Sequence, residues 1–224
     1  MEAWQSVFQN SSMLIKGLGY TLEYSLYAVV LGTVLGLIFA LFRLSGSRIL
    51  RALGTVYVDI FRGTPLLVQI FFIYFGLPQV LPLHQWFGEF YTVLAGAAAL
   101  ALNEGAYITE IIRAGILSVD KGQWEAAESI GMTSYQKMRY IILPQAFKRM
   151  IPPLVNQFIQ TIKDTSLLSV ISITELVRAA QIVIVTTYFA LQFWTAVAVL
   201  YLIVILLLTK LSQYLERRLQ VDQR

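Results

Sequence analysis

YTLEYSLYAVVLGTVLGLIFALF, residues 20–42, decides the class of this protein. The run holds one charged residue, Glu23, and no proline. A bilayer-crossing helix needs roughly 20 mostly apolar residues, so the run predicts a transmembrane span. It is too long for a signal-peptide core and lacks a basic region ahead of it, so it is expected to be retained. The composition agrees: of 224 residues, 57% are hydrophobic and 13% charged, with a mean hydropathy of +0.66. An average soluble domain is about 45–50% apolar and about 25% charged. A soluble domain and a disordered chain are excluded, and a net charge of +4, thinly spread, excludes a nucleic-acid module. With no cysteine there is no disulfide framework, thiolate metal site or thiol nucleophile. A single histidine, His84, cannot build a histidine metal site by itself.

Four further apolar runs follow, at about 64–80, 91–112, 152–171 and 188–209. Thr64 is expected to cap the second, with Pro65 in its first turn, and Pro152-Pro153 to open the fourth. Five spans put the termini on opposite sides. Arg43, Arg48, Arg51 and Arg62 lie between the first two spans. Arg113, Lys121, Lys137, Arg139, Lys148 and Arg149 lie between the third and fourth, and Lys210, Arg217, Arg218 and Arg224 follow the fifth. The opposite side has only Lys16 and Arg178, and Lys163 falls within a span. Basic residues gather on the cytoplasmic side, so the N-terminus is expected outside and the C-terminus inside. No inverted repeat of the secondary-carrier kind is visible. Gly32 and Gly36 suit close helix packing. Residues 3–16 suit an amphipathic interfacial helix with Trp4, Val7, Phe8, Met13 and Leu14 on its apolar side. A short helix after span 4 is expected to open with a capping box, Ser172 to Glu175. His84 and Trp86 fit interface anchors.

Residues 113–151 are too long for a plain connection and carry helix punctuation. Asp120 with Gln123, and Thr133 with Gln136, read as capping boxes. Gly131 between them reads as a left-handed helix end, and Pro144 as the stop of the second helix. A helical hairpin over 120–144 is expected, either a coupling surface or a simple connector. Glu125-Ala126-Ala127, Gly131, Ile141 and Leu143-Pro144, in that spacing, resemble the EAA signature of membrane subunits of ABC importers. Residues 62–69 (RGTPLLVQ), Asn103-Glu104-Gly105-Ala106-Tyr107 and 110–115 (EIIRAG) resemble the polar amino-acid uptake permeases of the histidine, glutamine, arginine and cystine type.

The resemblance implies an all-α integral membrane fold of the type I importer permease kind: five transmembrane helices and a cytoplasmic coupling hairpin. It also implies a second permease subunit, identical or related, with ATP-binding-cassette ATPases below and an extracytoplasmic substrate-binding protein outside, in the cytoplasmic membrane of a prokaryote. No Gly-Lys dipeptide occurs, so a phosphate-binding loop is absent. ATP and Mg are therefore expected on the partner ATPase, with no cofactor and no enzymatic activity in this chain. Three rival functions remain. An ion-coupled carrier has no need of the hairpin signature. A permease for an osmolyte or a metal chelate would keep it but lacks the likeness in spans 2 and 3. A structural or sensory membrane subunit would use its mid-span charges only to pair internally.

Ionisable groups inside a span cost about 2.5–3.5 kcal/mol on insertion scales, so they usually face an interior or a cavity. Asn103, Tyr107 and Glu110 share a helix face, as do Gln157, Gln160 and Asp164. Lys163, Asp164, Thr165 and Ser166 stand at similar depth to Glu104. Two readings follow. These groups satisfy one another, Lys163 with Glu104 or Asp164 and Glu110 with Arg113. Alternatively Asn103, Glu104, Tyr107, Lys163, Asp164, Thr165 and Ser166 form a mid-membrane pocket for a zwitterionic amino acid.

Overall fold

In the computed structural model, residues 2–218 are described, and they are almost entirely helical, with no strand among them. Arg224 lies outside the described residues. The helices are α1 (Glu2–Gln9), α2 (Ser11–Leu44), α3 (Arg48–Gly63), α4 (Leu66–Phe71), α5 (Leu83–Phe87), α6 (Phe90–Leu117), α7 (Lys121–Ser129), α8 (Ser134–Lys137), α9 (Leu143–Asp164), α10 (Leu176–Thr187) and α11 (Ala190–Arg218). By length and composition, α2 and residues 190–214 of α11 can each cross a membrane alone. Two bent pairs raise the number to four: α3 with residues 66–79, bent by 105°, and residues 134–171 with α10, bent by 46°.

Helix α6 is the centre. Its 28 residues span about 42 Å at 1.5 Å per residue, and half of them are buried, many of these alanine or glycine. Helix α2 runs against it with a buried line of small side chains, Thr21, Ser25, Ala28, Gly32, Gly36 and Ala40. A Cβ at Gly32 would stand 2.7 Å from Glu104 Cγ and 3.2 Å from the Gly105 amide nitrogen. The Gly32–Gly36 spacing therefore serves packing within the chain. Tyr57 of α3 donates to the Leu102 carbonyl (2.7 Å) and stacks on Phe39, which locks α3 to both.

Several expected boundaries move. Thr64 does not cap the next helix: it is extended, as the residue before a proline must tend to be, and its hydroxyl donates back to the Ile60 carbonyl. The chain turns there, and Gln69 Nε2 spans the break to the carbonyls of Phe61 (2.8 Å) and Thr64 (3.0 Å). Pro144 does not stop a helix. It lies in the first turn of α9, where a missing amide hydrogen is tolerated, after a turn of π-helix at Met138–Ile142. Pro152 and Pro153 lie inside α9 rather than at its start. Burial of Ala146 and Met150 before the pair, and of Ile159 and Ile162 after it, holds the helix together across the missing hydrogen bonds. Residues 3–16 divide at Asn10 into α1 and the first turns of α2. Val7 and Leu14 pack on Leu176, Ala180, Val183 and Phe193, while Trp4 and Phe8 are exposed. Glu175 caps α10, accepting from the amides of Val177 (2.9 Å) and Arg178 (2.7 Å), while Thr21 Oγ1 of α2 accepts from the Leu176 amide (3.2 Å); Ser172 is left-handed and takes no part.

The Gly32–Gly105 contact yields a first prediction. Gly32→Val should lower the thermal stability of the purified subunit by the equivalent of about 1–3 kcal/mol, the usual cost of overpacking. Gly19→Val, on the same helix but with open space around it, should be nearly neutral.

Candidate functional site

Two cavities meet between α6 and α9. The bend cavity, about 500 Å³, lies beside the break between α3 and α4; Asn103, Tyr107, Gln160 and Asp164 are in its wall. The hairpin-side cavity, about 920 Å³, includes Glu110, Ser118, Arg149 and Asn156. Arg62, Tyr107, Gln157 and Gln160 line both and so form the waist between them.

Each wall has a local cause. The α6 face that carries Asn103, Tyr107 and Glu110 turns to the cavities because Gly105 and Ile108 are held against α2. Asn103 is fixed by its Nδ2, which donates to Gln69 Oε1 (3.0 Å) and the Phe61 carbonyl (3.1 Å). On α9, Gln157, Gln160 and Asp164 face the cavities, and Gln160 Nε2 donates to Asp164 Oδ1 (2.9 Å). The bend cavity has one cation in its wall, Arg62, and one anion, Asp164. Arg62 sits over the Tyr107 ring at 5.2 Å, a favourable cation–π geometry.

Of the residues expected from sequence to meet a substrate, Asn103, Tyr107 and Asp164 line the cavity. The other four do not. Glu104 is buried behind the wall and accepts from Gln157 Nε2 (3.0 Å) and the Thr161 hydroxyl. Its partners are therefore neutral donors. Lys163 is exposed. Thr165 is buried and donates to the Ile162 carbonyl (2.7 Å), and the Ser166 carbonyl accepts from Ser169. Glu110 pairs with Arg113, as expected, and also with Arg43 and Arg62. Sequence reasoning missed Arg62, Gln157 and Gln160 as wall residues. Both glutamines stood on the Asp164 face, but the bend that brings Arg62 inward leaves no periodic trace.

The hairpin is a second unit. Asp120 caps α7 by accepting from the Gly122 amide (2.7 Å); Gln123 does not return the bond and instead accepts from Gln145. Thr133 and Gln136 form a complete capping box. Gly131 is left-handed at φ +76°; its amide donates to the Glu128 carbonyl (2.9 Å) and that of Met132 to Ala127 (3.1 Å), a Schellman-like ending. Glu125 and Ala126 are exposed, whereas Ala127 is buried. Lys137 pairs with Glu128 and lies over the Trp124 ring, closing the hairpin. Ile141 packs at its base, and Leu143 and Pro144 are exposed. Ile130 and Tyr135 stand at its surface, 76% and 68% exposed.

Residues 32–221 match the model of the family described as "binding-protein-dependent transport system inner membrane component". The chain belongs to that family. It is 40% identical over 218 residues to the glutamine transport system permease protein GlnP of Escherichia coli K12, covering 97% of this chain and 98% of that one. Identity is also 40%, over 209 residues, to a putative glutamine transport system permease protein GlnP of Rickettsia prowazekii, with 93% and 94% covered. Among solved structures, an amino acid ABC transporter with histidines superposes with a TM-score of 0.89 at 39% identity, covering 96% of this chain and 98% of that one. The MetNI methionine ABC transporter shares the fold, with a TM-score of 0.71 at 19% identity over 93% and 97% of the two chains. The protein is thus the inner-membrane permease subunit of an ABC importer, a transport component rather than an enzyme.

Glu104 gives a second prediction. Glu104→Leu would leave the Gln157 and Thr161 donors without their buried acceptor, at a cost of about 1–3 kcal/mol. Glu104→Gln keeps an acceptor and should melt within a few degrees of the parent, whereas Glu104→Leu should melt well below it or fail to accumulate.

Proposed function

We propose that this permease moves a polar, zwitterionic amino acid through the bend cavity. One observation carries this: Arg62 and Asp164 are the opposite charges of a single wall otherwise rich in amide and hydroxyl groups. A free amino acid needs a cation for its carboxylate and an anion for its ammonium. Asn103, Gln157 and Gln160 supply neutral donors and acceptors around them. At about 500 Å³ the cavity falls within the range of about 300–1,000 Å³ usual for small ligands. Glu104 and Thr165 act from behind the wall. The names of the relatives, glutamine permeases, support the amino-acid class.

The chain crosses the membrane five times in this reading, by α2, the α4 segment, α6, α9 and α11, with the N-terminus outside. Helix α6 carries Asn103, Glu104 and Glu110, which an interior helix can hold at a cost that a lipid-facing one cannot. A second permease subunit, identical or related, covers the open side of the cavities. The hairpin of Glu125, Ala126, Gly131, Ile130 and Tyr135 receives the ATPase, which holds ATP and Mg, and a substrate-binding protein delivers from outside.

Three measurements test these assignments. In vesicles containing the permease, its ATPase and its receptor, Arg62→Gln and Asp164→Asn should each reduce amino-acid uptake roughly tenfold or more, the scale of one lost charge-assisted hydrogen bond. Normal uptake by both would refute the cavity as the site. Gly131→Val forces a left-handed β-branched residue, costing about 1–2 kcal/mol locally, and Ile130→Asp alters the outer surface. Both should insert normally yet co-purify with less ATPase; full ATPase recovery in both would leave the hairpin a connector. Because the chain has no cysteine, a cysteine placed at position 121, exposed at the start of α7, should react with an impermeant thiol reagent only when the cytoplasmic face is opened, and one at position 86 in intact cells. The reverse pattern would invert the topology.

A further inference from the structure

We propose that Arg62 is a gate at the waist between the two cavities, released from Glu110 when a carboxylate enters the bend cavity; the trigger rests on the amino-acid reading above. Three guanidinium groups surround the one Glu110 carboxylate, and their grips are unequal. Arg43 bonds to Oε1 directly. Arg113 bonds to both oxygens, Nε to Oε1 at 3.0 Å and Nη2 to Oε2 at 3.1 Å. Arg62 Nη1 stands 3.6 Å from Oε2, an ion pair too long for a hydrogen bond. Its side chain is 40% exposed, against 19% and 31% for Arg43 and Arg113.

Arg62 can therefore leave without orphaning the carboxylate, which keeps two cations and three hydrogen bonds. The same crowding supplies the driving force: three positive charges around one negative leave an excess that a second anion would relieve. That anion can approach through the bend cavity, which Arg62 already lines. Arg62 is next to last in α3, ahead of the 105° bend, and Gly63 beside it has open space where a Cβ would stand. Movement of this side chain toward the bend cavity takes it out of the waist that it shares with Tyr107, Gln157 and Gln160. A solute lacking a carboxylate would leave Arg62 on Glu110 and the waist shut.

The test uses the absence of native cysteine. Gly63→Cys places one thiol at the bend cavity with no steric conflict. Inside-out vesicles holding this permease with its co-expressed partners are treated with an impermeant thiol reagent, which must pass the waist from the hairpin side. Labelling should be slow without added solute and rise about fivefold with L-glutamine enclosed in the vesicle lumen, on the side away from the hairpin, the population change that an ion pair of about 1 kcal/mol controls. It should not rise with 4-aminobutanamide, an amine and amide of similar length without the carboxylate. Adding Arg62→Gln should give fast labelling with no solute, and Arg62→Lys should restore slow labelling. Equal rates in the parent and in Arg62→Gln, with melting temperatures unchanged, would overturn the gate, as would an equal rise in labelling with both compounds. Fast labelling in Arg62→Gln with no response of the parent to L-glutamine would leave the gate standing and remove the amino-acid reading of the cavity.

Discussion

The close approach of α2 and α6 at Gly32 and Gly105 is the constraint on which the other parts depend. Between helices in lipid there is little hydrophobic driving force, so association relies on packing and on polar contacts. The missing side chain at Gly32 is the space into which the Glu104 stem fits. From there the carboxylate crosses to Gln157 and Thr161 of α9. One small residue thus lets a single acid join three helices. The same contact fixes the rotation of α6, and with it the direction in which Asn103, Tyr107 and Glu110 face.

Two acids on α6 show two ways of keeping a carboxylate in an apolar setting. Glu104 is buried among neutral donors and holds α6 to α9. Glu110 is partly exposed and surrounded by guanidinium groups from α2, α3 and its own helix. Removing Glu104 costs packing and leaves donors without acceptors. At Glu110, redundancy means that one partner can depart while the other two remain. Stability resides in the first arrangement and adjustability in the second, although the two lie less than two turns apart.

The helical class, the long apolar runs of α2 and α11 and the helix ending at Gly131 are legible in the sequence because each depends on local chemistry. A left-handed glycine, a Thr-x-x-Gln cap and an apolar run act within a few residues. The faces of α6 and α9 are legible too, since period alone aligns Asn103 with Tyr107 and Gln157 with Asp164. Proline misleads in three places. Pro144 is tolerated in a first turn, Pro152 and Pro153 are carried by burial on both sides, and Pro65 with Thr64 makes a bend rather than a helix start. What decides each case is tertiary packing, which spacing does not encode. Depth alone draws Lys163 into the pocket; depth does not specify azimuth, and its side of α9 is exposed. Arg62 escapes notice for the opposite reason, because a basic residue before an apolar run reads as a membrane-edge charge until the bend turns it inward.

Satisfaction of hydrogen bonds divides the polar groups into those fully engaged within the chain and those with capacity to spare. Among the described residues, no buried side-chain nitrogen or oxygen lacks a partner. Glu104, Glu175, Asn103, Gln69 and Thr165 all make their bonds within the chain, so a solute would have to break an existing bond to use them. Arg62 and Asp164 differ. Arg62 has an ion pair at the edge of contact and a ring beneath it. Asp164 accepts through Oδ1 from an exposed glutamine on its own helix, a partner that can turn away to water. Both stand in the cavity wall. Capacity left over after folding, rather than charge or depth by itself, is what a passing zwitterion can use. By that criterion Arg62 and Asp164 are the wall residues we propose for transport, while the fully bonded Glu104 holds α6 to α9 behind that wall.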